Sequence, residues 1–255
     1  MSTAAASAEA SAPRAAARAD DQLVRVYVWE IPVRVTHWVI VVSILILSVT
    51  GFYIGHPFMT VAGEARRSFV MGWMKVIHGY TAYAFITAVL ARVIWMFTGN
   101  KYARFDKFLP VFRARWRGMM PTVLFYSFIK DKPPGYVGHN PLAGAAYVLV
   151  FGLYFIEIAT GLILRGVSAP GGSILHGFVS VAPLFGGLYI ARWIHHIVMW
   201  LLLGFMLHHV YSSLLMSHVE KTGTMESIFS GWKWVPKREL GPGPYRWKHR
   251  GEFDE

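Results

Sequence analysis

The stretch that decides the fold is RWIHHIVMWLLLGFMLHHVY, residues 192–211, in which two adjacent pairs of histidines interrupt a long apolar run. A run of about 20 apolar residues is enough for one helix to cross the ~30 Å hydrocarbon core of a bilayer. An ionisable side chain inside such a span is costly, so it indicates a functional site by default. The rest of the chain must supply the partners that these histidines need.

The composition of the 255-residue chain favours an integral membrane protein. Hydrophobic residues make up 55% of the sequence and charged residues only 15%, which is more apolar than an ordinary soluble domain. The sequence contains no cysteine, which excludes disulfides, thiolate metal sites and covalent c-type haem attachment. The formal charge of +11 is typical of the cytoplasmic loops of a membrane protein, so a nucleic-acid partner is not expected.

The sequence predicts an all-α integral membrane protein with a bundle of four transmembrane helices. Residues 1–25 are rich in Ala and Ser and are expected to form a disordered cytoplasmic tail. Residues 26–232 are expected to form the membrane domain, and residues 233–255 a second cytoplasmic tail. The predicted spans are 35–54, 70–97, 142–164 and 188–216.

The distribution of Lys and Arg orients the four predicted spans. Nineteen of the 25 such residues lie before the first span, between the second and third, or after the fourth. Two lie in the remaining loops, and four lie within or beside the spans. Because positive charge accumulates on the cytoplasmic side, both termini are predicted to be cytoplasmic.

Helical geometry selects two of the four histidines in the last span. His195 and His209 are 14 residues apart, which places them on one helix face and about 21 Å apart along the axis. The pairings of His195 with His208 and of His196 with His209 leave the two side chains roughly 140° apart. Spacing therefore favours His195 and His209. Because each has a neighbouring histidine, the choice between His195 and His196 and between His208 and His209 stays open.

Two further histidines match this pair in depth. With cytoplasmic termini, the first span enters the membrane from the inside at His37 and the second from the outside near His78. His78 then lies at the depth of His195, and His37 at the depth of His209. Two pairs of imidazoles at matching depths predict two haems, one near each membrane surface. The alternative is a set of polar side chains hydrogen-bonded between helices.

Glycine and arginine residues at the same offset extend this prediction. Gly51 follows His37 by 14 residues, at the depth of the outer haem, where a missing side chain lets a macrocycle approach. Arg92 follows His78 by 14 residues, and Arg34 lies beside His37, so both are candidates to pair with a haem propionate. The alternatives are ordinary helix packing for the glycine and snorkelling for the arginines.

Two other polar features have open roles. The segment GYVGHNPLAG, residues 135–144, contains His139 and Asn140, which are candidates to hydrogen-bond a quinone carbonyl. The alternative is a helix-start loop in which Asn140 caps the helix. Glu157 lies in the middle of the third span, where it either relays protons or stays protonated and hydrogen-bonded between helices.

The sequence closely resembles the cytochrome b subunit of membrane-bound nickel–iron hydrogenases, which is related to formate dehydrogenase gamma subunits. The resemblance runs from about Val26 to Trp232 and is carried by EIPVRVTHW, VTGFYIG, YVGHNPLA, HHIVMW, HHVY and MESIFSGW. In that family one His on the first helix, one on the second and two on the fourth bind two b haems. The resemblance therefore implies that the axial ligands of the haem irons are His37, His78, His195 and His209.

The resemblance also implies a role in a respiratory chain. A periplasmic hydrogenase, with nickel–iron large and iron–sulfur small subunits, would pass electrons to the outer haem. They would continue through the inner haem to the quinone pool on the cytoplasmic side of the bacterial inner membrane. This chain would hold no hydrogen-activating site of its own. The alternatives are the haem subunit of a formate dehydrogenase or similar periplasmic oxidoreductase, and a His-lined metal-ion or proton transporter.

Overall fold

The computed structural model describes residues 22–58, 69–105, 113–130, 140–237, 246–248 and 252–254, and it is mostly helical. Its elements, in chain order, are β1 (Leu23–Tyr27), α1 (Ile31–Gly55), α2 (Val70–Thr98), α3 (Arg113–Tyr126), α4 (Pro141–Gly166), α5 (Ile174–Gly177), a 3-10 helix (Phe178–Phe185), α6 (Leu188–Glu220), α7 (Ser227–Ser230), β2 (Trp232–Pro236), β3 (Arg246–Lys248) and β4 (Glu252–Asp254).

Four of the helices are long and apolar enough to cross a membrane, which confirms the four predicted spans. They are α1, α2, α4 and α6. Each helix extends beyond the apolar run that predicted it: α1 begins at Ile31 and α6 continues to Glu220. Pro32 in the first turn of α1 and Pro141 at the start of α4 occupy positions where a missing backbone N–H costs nothing.

The outward faces of these helices are apolar. Val49, Ile94, Leu149 and Trp200 are each more than 60% exposed. In water such continuous apolar surface would drive association, whereas in lipid it is the expected exterior. The helices also satisfy their own backbone hydrogen bonds, which a membrane-spanning segment requires.

The chain divides into two compact units, and the first contains residues 32–98 and 146–210. All four long helices contribute to its core, in which Phe85 and Tyr154 meet edge to face with ring centres 5.2 Å apart. Buried apolar residues account for this packing: Ile40, Phe85, Ala88, Val89, Val150, Tyr154, Val198 and Leu202. The four helices therefore share one core, as a bundle requires.

The second unit contains residues 1–31, 99–145 and 211–255, and its described part is built on an antiparallel ribbon. Strand β1 pairs with β2, from Leu23 opposite Pro236 to Tyr27 opposite Trp232. Val26, Val28 and Val235 are almost fully buried beside this ribbon.

Strands β1 and β2 extend across both of the predicted tail boundaries. The predicted first tail ends at residue 25 and the second begins at residue 233, and both positions lie inside these paired strands. In the strands Val24 is half-buried, and Lys233 and Val235 are buried. The limits of the tails and of the membrane domain stay a prediction.

Candidate functional site

His37 and His209 lie against each other across helices α1 and α6. Their ring centres are 6.3 Å apart and the rings are tilted by 55°. His37 meets Trp38 edge-on, and His209 stacks on Phe205 at 5.6 Å. Two imidazoles that ligate one metal ion from opposite sides, each at a metal–nitrogen distance of ~2.0 Å, have ring centres about 6 Å apart. The spacing of this pair therefore fits bis-histidine ligation of a haem iron.

His78 on α2 and His195 on α6 form the second pair, and the two side chains lie close enough to interact electrostatically. Each of these histidines is held by a threonine from another helix: Thr50 lies on α1 and Thr160 on α4. The hydroxyl of Thr50 lies 2.8 Å from Nδ1 of His78, and the hydroxyl of Thr160 lies 3.0 Å from Nδ1 of His195. In both imidazoles the hydrogen bond leaves Nε2 available for a metal.

A glycine follows each of these threonines and makes room for the imidazole. A Cβ at Gly51 would lie 3.5 Å from Cε1 of His78, and a Cβ at Gly161 would lie 3.2 Å from Cε1 of His195. The sequence analysis expected Gly51 to admit a macrocycle, and the structure places it against the ring of His78. Both glycines line a cradle that a larger side chain would fill.

The structure separates the two histidines of each doubled pair. His195 faces Thr160 and Gly161 on α4, whereas Nε2 of His196 lies 3.6 Å from the position of a Cβ at Gly55, the end of α1. The ring of His209 lies against His37, and both His208 and His209 are exposed. The choice of His195 and His209 as the ligands stays a prediction.

Glu157 contacts the second pair. Its Oε1 lies 3.3 Å from Nδ1 of His195. Its Oε2 is buried and has no hydrogen-bond partner among the residues that the structure describes. A buried carboxyl oxygen without a partner is costly. Glu157 bears this cost at a position directly beside a candidate ligand.

The two candidate propionate partners lie within the membrane domain. Arg92 is only 4% exposed, and its guanidinium carbon lies 5.4 Å from the centre of the Tyr147 ring. Arg34 is half-buried on α1, three residues before His37. A buried guanidinium needs compensation by negative charge or hydrogen bonds, and a propionate would provide both.

The structure shows Asn140 as a helix cap. Its Oδ1 accepts a hydrogen bond from the backbone N–H of Ala143 at 2.7 Å, at the start of α4, which is the alternative that the sequence left open. Asn140 also hydrogen-bonds to Tyr126, where burial raises the pKa of the phenol and this hydrogen bond offsets part of the rise. His139 lies outside the described residues, so its role toward a quinone stays a prediction.

Sequence reasoning missed the residues that hold the second pair. Thr50, Thr160 and Gly161 were not singled out, although the dipeptide Thr-Gly occurs in both the first and the third span. Within the described ranges no group of three or more His, Cys, Asp or Glu side chains is arranged to hold a metal ion. His37 and His209 meet instead as a pair, which is the arrangement that axial ligation of haem requires.

Four helices long enough to span a membrane, two of which bring imidazoles together at ligand spacing, are typical of helical membrane cytochromes of the b type. The chain belongs to the prokaryotic cytochrome b561 family, whose model matches residues 28–231. As a member of that family it is a multi-pass membrane protein, and its cofactor is haem b.

Curated relatives show which members of this family the chain is similar to. It is 37% identical over 210 residues to a protein of Cupriavidus necator, an alignment that covers 81% of this chain and 86% of the relative. It is 35% identical over 238 residues to one of Bradyrhizobium diazoefficiens, covering 89% and 92%. Both relatives are named "Probable Ni/Fe-hydrogenase B-type cytochrome subunit".

A third relative, from Escherichia coli, is 34% identical over 219 residues, covering 84% of this chain and 92% of the relative. It is named "Probable Ni/Fe-hydrogenase 1 B-type cytochrome subunit". The resemblance inferred from the sequence motifs is therefore confirmed.

Proposed function

We propose that this chain is the membrane cytochrome subunit of a nickel–iron hydrogenase and carries electrons from hydrogen through two b haems to quinone. The observation that carries the proposal is the pairing of histidines across helices, with the His37 and His209 rings 6.3 Å apart. The names of the relatives at 34–37% identity support the hydrogenase as the donor. A haem subunit of formate dehydrogenase would use the same histidines with a different donor.

In this proposal His37 and His209 hold one haem, and His78 and His195 hold the other. Haem iron supplies reversible one-electron chemistry, and the protein supplies position, hydrogen bonds and a water-free environment. Arg92 and Arg34 supply cations for propionates. The rise of α6 sets the two ligands on that helix about 21 Å apart along its axis.

The direction of electron flow follows from the distribution of basic residues. With both termini in the cytoplasm of a bacterium, the His78–His195 pair lies near the periplasmic surface of the inner membrane. Electrons from the iron–sulfur small subunit enter there, reach the His37–His209 pair, and reduce quinone on the cytoplasmic side. Moving each electron inward against the membrane potential costs about 2.3 kcal/mol per 100 mV. Proton uptake from the cytoplasm by the quinone conserves that energy.

The experiment that tests this function measures hydrogen-dependent quinone reduction in membranes that contain the whole complex. His195→Ala and His209→Ala should each abolish it, because each removes an axial ligand. The matched controls are His196→Ala and His208→Ala, which change the neighbouring imidazole and should retain activity. Hydrogen oxidation with a soluble dye as acceptor should persist in all four variants. Quinone reduction at the wild-type rate in His195→Ala would overturn the proposal.

A further inference from the structure

We propose that the dipeptides Thr50–Gly51 and Thr160–Gly161 are positioning elements of the same design, each fixing the tautomer and the ring angle of one imidazole in the His78–His195 pair. Thr50–Gly51 lies on α1 and faces His78, and Thr160–Gly161 lies on α4 and faces His195. This inference rests on the proposed function, because it takes His78 and His195 to be haem ligands.

The two threonine hydroxyls make the same set of contacts. Thr50 is 4% exposed and donates to the carbonyl oxygen of Ile46 at 2.7 Å. Thr160 is 0% exposed and donates to the carbonyl oxygen of Ile156 at 2.8 Å. Each hydroxyl therefore commits its single proton to the carbonyl four residues earlier in its own helix. The lone pairs that remain face Nδ1 of the histidine.

The use of each threonine proton determines the tautomer of both imidazoles. A hydroxyl whose proton is already donated acts as an acceptor, so Nδ1 of each histidine must carry the hydrogen. Backbone carbonyls agree with this assignment, because the carbonyl of Leu47 faces the ring of His78 and that of Glu157 faces the ring of His195. Carbonyls only accept hydrogen bonds. The lone pair on Nε2 is then free for iron in both residues.

The glycines set how closely each ring approaches its helix. A Cβ at Gly161 would lie 3.2 Å from His195 Cε1, closer than most real Cβ contacts, and one at Gly51 would lie 3.5 Å from His78 Cε1. Threonine and glycine together thus contact two adjacent atoms of each imidazole. A ring held at two points cannot rotate freely, so its plane is set before the ligand bond forms.

The other pair is held differently. Nδ1 of His37 is buried and has no hydrogen-bond partner within the described part of the chain, and aromatic rings surround both His37 and His209. A ligand imidazole that donates Nδ1–H to an acceptor is the more basic and favours the oxidised iron. The threonines therefore lower the midpoint potential of the haem at His78 and His195 and leave the other haem unaffected.

The test uses Thr50→Val and Thr160→Val in the full chain within its complex, with Thr50→Ser and Thr160→Ser as matched controls. Valine preserves the shape of threonine and removes the acceptor, whereas serine retains it. Redox titration of the two haems and electron paramagnetic resonance of their low-spin signals provide the readouts. Each valine variant should raise the midpoint potential of one haem, change one low-spin signal and weaken haem binding at that site by about tenfold or more.

Thr50→Val should give the larger shift, because His195 keeps Glu157 Oε1 at 3.3 Å in addition to a backbone carbonyl, whereas His78 keeps only the carbonyl of Leu47. Both serine variants should resemble the wild type. If one valine variant does not accumulate in the membrane, the other makes the same test on the opposite ligand. A general loss of stability would lower the content of both haems together and move neither potential selectively, and that result would overturn the proposal.

A His195→Ala variant separates this inference from the function on which it rests. If His195→Ala loses one haem while both valine variants keep wild-type potentials and signals, the threonines are not positioning residues and the ligand assignment stands. If His195→Ala keeps both haems, the ligand assignment itself is wrong. A selective shift in the valine variants, together with loss of one haem in His195→Ala, supports both.

Discussion

At the residue scale, the four candidate ligands fall into two environments. The Nδ1 atoms of His78 and His195 lie within hydrogen-bond distance of buried threonine hydroxyls, and both rings lie beside glycines, whereas His37 and His209 contact aromatic rings and each other. A hydrogen bond at Nδ1 changes how strongly an imidazole donates electrons to a metal, whereas aromatic packing only holds the ring in position. The two pairs therefore provide two electronically distinct sites along one helix.

Substitution of the glycines tests how tightly the rings are held. Gly161→Ala places a methyl group 3.2 Å from His195 Cε1, so the ring must move by a few tenths of an ångström. We expect the haem content of the purified subunit to fall by up to one haem per chain and one low-spin signal to broaden. The measurement is the haem-to-protein ratio with electron paramagnetic resonance.

Gly51→Ala is the matched control for that variant. Its new methyl group would lie 3.5 Å from His78 Cε1, an ordinary van der Waals distance, so haem content and signals should change less than in Gly161→Ala. Equal effects of the two substitutions, or none from Gly161→Ala, would contradict the importance of this close contact.

At the scale of elements, the long helices were predictable and the short contacts between elements were not. An apolar run of about 20 residues predicts a span without reference to any other part of the chain. The paired strands β1 and β2 join residues about 200 positions apart, and no local pattern reports such a pairing. The Thr-Gly contacts were missed for a similar reason, since they depend on how each helix is rotated toward its neighbour.

The candidate site was predictable to the extent that helical periodicity determines it. The 14-residue spacing of His195 and His209 and the charge distribution selected four histidines, and the structure brings His37 to His209. The role of Asn140 could not be chosen from sequence, because capping and ligand binding use the same side-chain atoms; the hydrogen bond to Ala143 shows the cap.

The ribbon provides the element-scale prediction. Val235 is 1% exposed in β2 and packs with Val26 and Val28. Val235→Ala removes two buried methyl groups and should cost about 2 kcal/mol of local stability. We expect amide hydrogen exchange in residues 232–235 to accelerate by roughly tenfold or more. Leu23→Ala changes a side chain that is 49% exposed in the partner strand, and it should leave exchange nearly unchanged; equal acceleration in both variants would contradict this account of the ribbon.

At the scale of the whole molecule, the proposed function requires a helical membrane protein that holds redox cofactors at two depths. In four spanning helices the backbone hydrogen bonds are made within each helix. The polar side chains in the spans are therefore the groups that remain to bind a cofactor. The residues that are costly to place in the spans include the histidines, Arg92 and Glu157, and each of the candidate ligands has a position that a buried cofactor would use. The haem count, the direction of electron flow and the quinone belong to the proposal and need a test on intact membranes.

The measurement that tests the central claim most directly is the absorbance spectrum of native membranes, reduced first with hydrogen and then with dithionite. We predict that hydrogen alone produces a b-type α-band, because electrons from the hydrogenase reach haem held by this chain. The band should disappear when the gene for this chain is deleted. A band that appears only with dithionite would contradict the hydrogenase as donor. Membranes in which deletion removes no b-type haem would contradict the account as a whole.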